Sequence, residues 1–165
     1  MRPSLFIQGV IVVGVVLLDQ ASKAVVRARF ELFDTVPVIP GFFDLTRVHN
    51  TGTAFGMFNA VDVPYKALVL ALVGLASLAG LALYSVSLPA EHRMARVGLA
   101  GIIGGAIGNL VDRITLGYVV DFFDFYWRGW HFWAFNIADA AISVGLGLLL
   151  LDLFLPGRTH ATHAS

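Results

Sequence analysis

Two aspartates stand in apolar surroundings where a carboxylate is costly. Asp121 lies in Val-Val-Asp-Phe-Phe (119–123), and Asp139 lies in Phe-Asn-Ile-Ala-Asp-Ala-Ala-Ile (135–142), at the head of a long apolar run. Acidic side chains in or beside lipid are rare and mark functional sites by default. Two neighbouring acids in a low-dielectric pocket do not ionise together easily, so the pair shares a proton. Such a pair can deprotonate water with one acid and protonate a peptide with the other.

Other polar residues are spaced so that they share a helix face. Asp19 and Lys23 are four residues apart, as are Asn109 and Arg113, so each pair projects from one side of its helix. Lys23 is expected to face a site, with Asp19 orienting it. The alternative is a self-compensating ion pair that eases the helix out of lipid. Asp112, next to Arg113, could hold that arginine, and the alternative is that Arg113 stabilises a carboxylate of the site.

Two further groups flank these pairs. Asn136 and Asp139 are three residues apart, and they could equally cap the N-terminus of the last helix. Asn50-Thr-Gly-Thr-Ala-Phe55 is typical of a turn, in which Gly52 is free to adopt a positive φ. On their own these groups identify no chemistry.

Several catalytic classes lack the residues they require. The chain has no cysteine, which removes thiolate catalysis and cysteine-based metal sites. It has neither G-x-S-x-G nor H-E-x-x-H, so serine-hydrolase and zinc-peptidase chemistry are poorly supported. We expect no metal and no cofactor. A formal net charge of zero argues against nucleic acid as a partner.

The elements that position these residues are predicted to be membrane helices. The chain is 58% hydrophobic and only 13% charged, with a mean hydropathy of +0.80, whereas soluble domains average about 25% charged residues. We predict an all-α polytopic membrane protein with one domain, 1–158, and a disordered tail, 159–165. The four predicted spans, each near the length that crosses a bilayer, are about 4–26, 64–86, 96–114 and 132–155.

The connections between the spans differ in character. The first loop, about 27–63, is long and includes a strand-like stretch, 42–48, so we expect a small β-rich cradle there. The third loop, 115–131, and its flank hold all three tryptophans among many aromatics, which predicts an interfacial position and, as the simpler alternative, only an anchoring belt. The pairs Gly101/Gly105 and Gly104/Gly108 predict close helix packing.

Five motifs taken together resemble the lipoprotein signal peptidases, or signal peptidase II. They occur in family order and at family-like spacing between about residues 19 and 142. They are Asp-Gln-x-x-Lys (19–23), Asn-x-Gly-x-Ala-Phe (50–55), Gly-Gly-x-x-Gly-Asn-x-x-Asp-Arg (104–113), Val-Val-Asp-Phe (119–122) and Phe-Asn-x-Ala-Asp (135–139). Each block is weak alone, and the combination is specific.

The resemblance implies an aspartyl endopeptidase of the bacterial cytoplasmic membrane. Its substrates would be diacylglyceryl-modified prolipoproteins, cleaved just before the lipidated cysteine, and its inhibitor would be the cyclic peptide globomycin. Asp121 and Asp139 would be the catalytic dyad. The residues that would line the site are Asp19, Lys23, Asn50, Gly52, Asn109, Arg113 and Asn136.

The resemblance also implies an orientation. Both termini would be cytoplasmic and the dyad would lie at the extracytoplasmic face, although a count of Lys and Arg favours the opposite orientation. We expect a monomer surrounded by membrane lipid. Two rival functions remain, a small proton-coupled transporter and an assembly protein that uses its glycine face. The transporter predicts acids near the bilayer midplane, and the assembly protein leaves the polar motifs unexplained.

Overall fold

The computed structural model describes residues 3–52 and 63–154, in which four helices are long and apolar enough to cross a membrane. The segments that connect the helices contribute the strands of an antiparallel sheet. The helices are α1 (Pro3–Arg29), α2 (Lys66–Ser87), α3 (Arg93–Leu116) and α4 (Ile137–Phe154), and the strands are β1 (Thr35–Ile39), β2 (Phe43–Asn50), β3 (Val119–Trp127) and β4 (Trp130–His131).

The four predicted membrane helices are confirmed, with one boundary wrong. The fourth was placed at 132–155, but α4 begins at Ile137 because the residues before it pair with β3. The Phe132 N–H donates to the Phe125 carbonyl over 2.7 Å, and the Phe135 N–H donates to the Phe123 carbonyl over 3.1 Å. A purely all-α description is therefore too narrow. The predicted disordered tail, 159–165, lies outside the described residues.

The strands form a sheet in the order β1-β2-β3-β4, and neighbouring strands are antiparallel. The strand predicted at 42–48 is confirmed as β2, whereas β3 was not predicted and occupies most of the third loop. In the register of β2 and β3, Val48 lies opposite Asp121 and Asn50 lies opposite Val119. The sheet thus brings the end of β2 beside Asp121.

The glycines of α3 let the other helices approach its backbone. A Cβ on Gly104 would lie 2.9 Å from Val15 Cβ in α1, and one on Gly105 would clash with the Ala138 carbonyl of α4. On Gly108 it would lie 2.5 Å from Asp19 Oδ2. The packing role predicted for the glycines is confirmed, and it brings polar side chains of three helices together.

The sheet is fastened to the end of α1. Val26 of α1 packs with Val120 and Phe122 of β3 in a small buried apolar cluster. Arg47 of β2 donates through Nη1 to the Phe30 carbonyl over 2.8 Å, just beyond the C-terminus of α1. A cation at that position satisfies carbonyls that the helix itself leaves unpaired. This end of the bundle therefore carries the sheet.

Candidate active site

The two acids predicted to do chemistry are joined by one asparagine. Asp121 lies in β3 and is 2% exposed, and Asp139 lies in the first turn of α4 and is partly buried. Asn136 Nδ2 donates to Asp121 Oδ1 over 2.7 Å, and Asn136 Oδ1 accepts from the Asp139 backbone N–H over 2.9 Å. Residues from the sheet and from α4 therefore meet at one place.

Asn136 is also a helix cap. Its side chain accepts from the backbone of Asp139, and Asp139 Oδ2 accepts from the Asn136 N–H over 3.3 Å. This reciprocal arrangement is a capping box, which fixes the first turn of a helix. The capping alternative raised from the sequence is thus correct, and the same side chain also contacts Asp121. The cap holds the Asp139 carboxyl in place.

Asn109 of α3 supplies a second amide to the pair of acids. Its Nδ2 donates to Asp139 Oδ1 over 2.8 Å. Its Oδ1 accepts from Lys23 Nζ over 2.9 Å and from Asn136 Nδ2 over 3.1 Å. Each acid therefore receives at least one hydrogen bond from a side-chain amide.

The turn after β2 closes the site from the first loop. Asn50 Nδ2 donates to Asp121 Oδ2 over 3.0 Å, and Asn50 Oδ1 accepts from the Gly52 N–H over 2.9 Å. Arg113 Nη2 donates to the Gly52 carbonyl over 3.0 Å, and Nη1 donates to the Asn109 carbonyl over 3.3 Å. The remainder of the predicted turn motif, 53–55, lies outside the described residues.

The residues Asp19, Lys23 and Asp112 form a buried ion-pair cluster behind the acids. Lys23 Nζ lies 2.8 Å from Asp19 Oδ2 and 3.1 Å from Asp112 Oδ2, and Lys23 and Asp19 are 0% exposed. Asp112 thus pairs with Lys23, whereas the sequence suggested Arg113 as its partner. Arg113 instead donates to two main-chain carbonyls. Asp19 and Lys23 do form the ion pair given as the alternative, and Lys23 also contacts Asn109.

A cavity of about 650 Å³ opens at the acids. Its polar lining residues are Asp121, Asp139, Asn50, Asn109, Arg113, Ser77 and Ser143. Asp19 and Lys23, which were expected to line the site, are not among its lining residues. The remaining wall is mostly apolar and comes from α2, α3, α4 and the segment before α4, including Leu70, Gly74, Ala106, Leu110, Phe132, Trp133, Ile142 and Val144.

The environment of Asp121 favours its protonated form. Burial, reinforced by the charge of nearby Asp139, raises the pKa of Asp121 to about 7. Hydrogen bonds from Asn50 and Asn136 and the positive charge of Lys23 oppose this rise. Near neutral pH a substantial fraction of Asp121 therefore holds a proton, which is the state that a general acid requires.

Asp124, His49 and His131 are not among the residues that line this cavity. Asp124, also in β3, pairs with His131 over 2.9 Å, and His49 stacks on Tyr118. Within residues 3–52 and 63–154, no group of three or more His, Asp or Glu side chains is arranged to hold a metal ion. The polar groups that line the cavity are two carboxyls, two amides, one guanidinium and two hydroxyls.

Sequence reasoning missed the contacts made by Asp112 and by Gln20. Gln20 Nε2 donates to Asp112 Oδ1 over 3.0 Å and to the Gly108 carbonyl over 3.1 Å. Both residues belong to the motifs named above, and this membership was the signal in the sequence that they contribute to the site. Their partners are distant in sequence, and only the packing of α1 on α3 reveals them.

Fold and site together define a multi-pass membrane protein with paired acids at one end of its helix bundle. The family model described as signal peptidase (SPase) II matches residues 11–155. The lipoprotein signal peptidase of Geobacter metallireducens is 40% identical over 158 residues, 96% of each chain. That of Symbiobacterium thermophilum is 43% identical over 149 residues, 90% of this chain and 95% of its own.

A solved structure agrees in fold. A bacterial membrane enzyme determined by the in meso method at 1.9 Å resolution superposes with a TM-score of 0.81 at 28% identity, covering 90% of this chain and 92% of that one. The chain belongs to the lipoprotein signal peptidase (signal peptidase II) family. The resemblance predicted from the five motifs is confirmed.

Proposed function

We propose that this protein is an aspartic endopeptidase that removes the signal peptide from diacylglyceryl-modified prolipoproteins, cleaving before the lipidated cysteine. The observation that carries the proposal is the Asn136 bridge between Asp121 and Asp139 at the wall of an apolar cavity. Two carboxyls held together in a low-dielectric pocket can share a proton and act as acid and base. Membership of the signal peptidase II family supports the substrate class.

In the proposed reaction the two acids have different roles. Ionised Asp139 takes a proton from a water molecule, whose oxygen attacks the carbonyl carbon of the scissile peptide. Protonated Asp121 gives its proton to the carbonyl oxygen, which yields a neutral gem-diol. As the C–N bond breaks, Asp139 returns its proton to the leaving amine nitrogen and Asp121 recovers one from a gem-diol hydroxyl. Observed titration would belong to the pair.

The polar neighbours orient the reacting groups. Asn50, Asn109 and Asn136 each donate an amide hydrogen bond to one of the acids. Arg113 holds the Gly52 carbonyl and so keeps the Asn50 turn over the cavity. Rigidly held groups of this kind lower the reorganisation that the reaction requires.

The apolar wall of the cavity supports the proposal of a lipidated substrate. The diacylglyceryl chains need a path that avoids water, and α2, α3 and α4 provide an apolar surface beside the acids. Burial of each methylene contributes about 0.8 kcal/mol. We expect the same cavity to bind globomycin, and we expect the enzyme to act as a monomer in lipid.

The proposed location is the bacterial cytoplasmic membrane, with both termini in the cytoplasm and the cavity at the extracytoplasmic face. Exposed tryptophans on and beside the sheet, Trp127, Trp130 and Trp133, fit an interfacial position for this end of the bundle. Reporter fusions after Arg47 and after Arg93 check the orientation. An extracytoplasmic signal is expected from the first only, and a cytoplasmic signal there would overturn the assignment.

The decisive experiment replaces each acid separately with its amide. Asp121→Asn and Asp139→Asn should each abolish cleavage of a diacylated prolipoprotein while membrane insertion and thermal stability persist. A precursor whose lipobox cysteine is replaced by serine, and so cannot be lipidated, should remain uncut by the unmodified enzyme. Undiminished cleavage in either variant would refute the acid pair, and cutting of the serine precursor would refute the substrate class.

A further inference from the structure

We propose that the buried cluster Asp19–Lys23–Asp112 is a positioning device that sets the separation of the two catalytic carboxyls. The inference rests on the proposed function, because it takes Asp121 and Asp139 as the acid pair. None of the three residues lines the cavity, so none of them reaches a bound substrate. Their effect on the reaction passes through the backbone and through one amide.

Each of the two aspartates of the cluster accepts a hydrogen bond from the backbone N–H of the residue that precedes a catalytic acid. Asp19 Oδ1 accepts from the Ala138 N–H over 3.0 Å, and Ala138 immediately precedes Asp139. Asp112 Oδ2 accepts from the Val120 N–H over 3.1 Å, and Val120 immediately precedes Asp121. Each catalytic acid thus follows a residue whose amide is bound by a buried carboxylate.

Lys23 connects these two attachments. Its Nζ lies 2.8 Å from Asp19 Oδ2 and 3.1 Å from Asp112 Oδ2, so one ammonium group holds both carboxylates. The link runs from α4 through α1 and α3 to β3 without leaving the protein interior. Because charge-assisted hydrogen bonds are short and strong, this chain of contacts fixes the distance between the two backbone segments.

Lys23 also determines which way the Asn109 amide points. An ammonium group only donates hydrogen bonds, so the Asn109 atom facing Lys23 must be the oxygen, at 2.9 Å. The Asn109 nitrogen is then directed to Asp139 Oδ1, at 2.8 Å. A reversed amide would place two acceptors against each other at Asp139 and would lose the donor that stabilises its charge.

Stability alone does not account well for such a cluster. Removing charges from water is costly, and apolar replacements of whole buried ion pairs are often neutral or stabilising. Charged contacts, unlike apolar ones, fix the orientation of the groups that they join. A displacement of about 1 Å in a catalytic group can reduce a rate on the order of 100-fold.

The test compares substitutions that keep or remove the backbone acceptor. Asp19→Asn and Asp112→Asn retain an oxygen that can accept from Ala138 or Val120, whereas the corresponding Leu variants retain none. With diacylated prolipoprotein, the Leu variants should lose kcat about 100-fold, the Asn variants should lose less, and KM should stay within about twofold. The pH profile of kcat should shift in all four, because the charges around the acid pair change.

Asp152 offers a matched control on α4. It pairs with His92 over 2.7 Å at the other end of the bundle, so Asp152→Asn and Asp152→Leu should keep kcat and its pH profile. Unchanged kcat and pH profile in the folded cluster variants would overturn the proposal, as would a rise in KM with kcat preserved. If the Leu variants do not fold, the Asn variants decide, and unfolding of both Asn variants would assign the cluster a purely structural role.

The same assay separates this inference from the proposed function. If Asp121→Asn still cleaves, the acid pair itself is refuted. If Asp121→Asn is inactive while folded cluster variants match the unmodified enzyme, only the positioning role is refuted.

Discussion

The two ends of the helix bundle both contain buried polar side chains, yet they are built differently. At one end Gln8 donates to the Ser85 hydroxyl over 3.3 Å and to the Arg96 carbonyl over 3.1 Å, and Arg96 Nη1 donates to the Leu88 carbonyl over 3.3 Å. These contacts join α1, α2 and α3. At the other end, carboxylates of α1, α3, α4 and β3 surround Lys23 and a cavity.

The difference separates packing from function. The Gln8 end satisfies backbone and hydroxyl groups and caps α2, whose last carbonyls need partners inside an apolar bundle. The cavity end gathers Asp19, Asp112, Asp121 and Asp139 around the cations Lys23 and Arg113, so acidic side chains outnumber basic ones in a low-dielectric place. Packing alone does not require such an arrangement, whereas the proposed proton transfer between paired acids does.

The largest expected effect compares two acids of the same helix. Asp139→Asn should reduce kcat at least about 1,000-fold, because it removes the proposed base, whereas Asp152→Asn should leave kcat within about twofold. Cleavage rates of a diacylated prolipoprotein by the purified full-length proteins check this. Equal losses of kcat in the two variants would contradict the proposed difference between the two ends of the bundle.

A smaller effect is expected from removing one amide at each end. Asn109→Leu should lower kcat about 10- to 100-fold, since Asp139 loses a donor that stabilises its charge. Gln8→Leu should instead lower the free energy of unfolding by about 1–3 kcal/mol, because buried acceptors lose their donor, and should leave kcat nearly unchanged. Kinetics and thermal denaturation in detergent distinguish these outcomes, and a stability loss without a kinetic loss in Asn109→Leu would contradict the assignment.

The smallest effect concerns stability and pH. The pKa of Asp121 is raised to about 7 by burial and by Asp139, so the folded protein binds this proton more tightly than the unfolded chain does. This proton contributes its full stabilisation of the fold below the pKa that Asp121 has in the unfolded chain. The stabilisation is lost as pH rises from there through about 7. The thermal midpoint should therefore fall over that range in the unmodified protein, and it should fall less in Asp121→Asn. Equal pH dependence in the two proteins would contradict the raised pKa.

Much of the fold was predictable because lipid imposes a simple rule. Long apolar runs identified all four helices, and the glycine spacing identified the packing face of α3. The start of α4 was predicted too early because Phe132–Phe135 is apolar and reads as helix, whereas its backbone bonds to β3. The valine and aromatic content of Val119–Trp127 favours a strand, and that signal was available.

The site was predictable in composition and less so in geometry. The motifs placed Asp121, Asp139, Asn109 and Asn136 together, and the structure joins them by hydrogen bonds. The partner of Asp112 was wrong, because sequence proximity suggested Arg113 while the tertiary contact is Lys23. Contacts between α1 and α3 depend on helix rotation and depth, and spacing within one helix does not contain that information.

The most direct test of the acid pair is the cleavage rate constant of Asp121→Asn and of the unmodified enzyme, measured side by side as pH rises through 7. The unmodified enzyme should lose activity over this range, because Asp121 must hold a proton to act as the acid. The variant should bind the diacylated prolipoprotein and cleave it at no pH. Measurable cleavage by the variant at any of these pH values, or a wild-type rate that does not change with pH, would contradict the account.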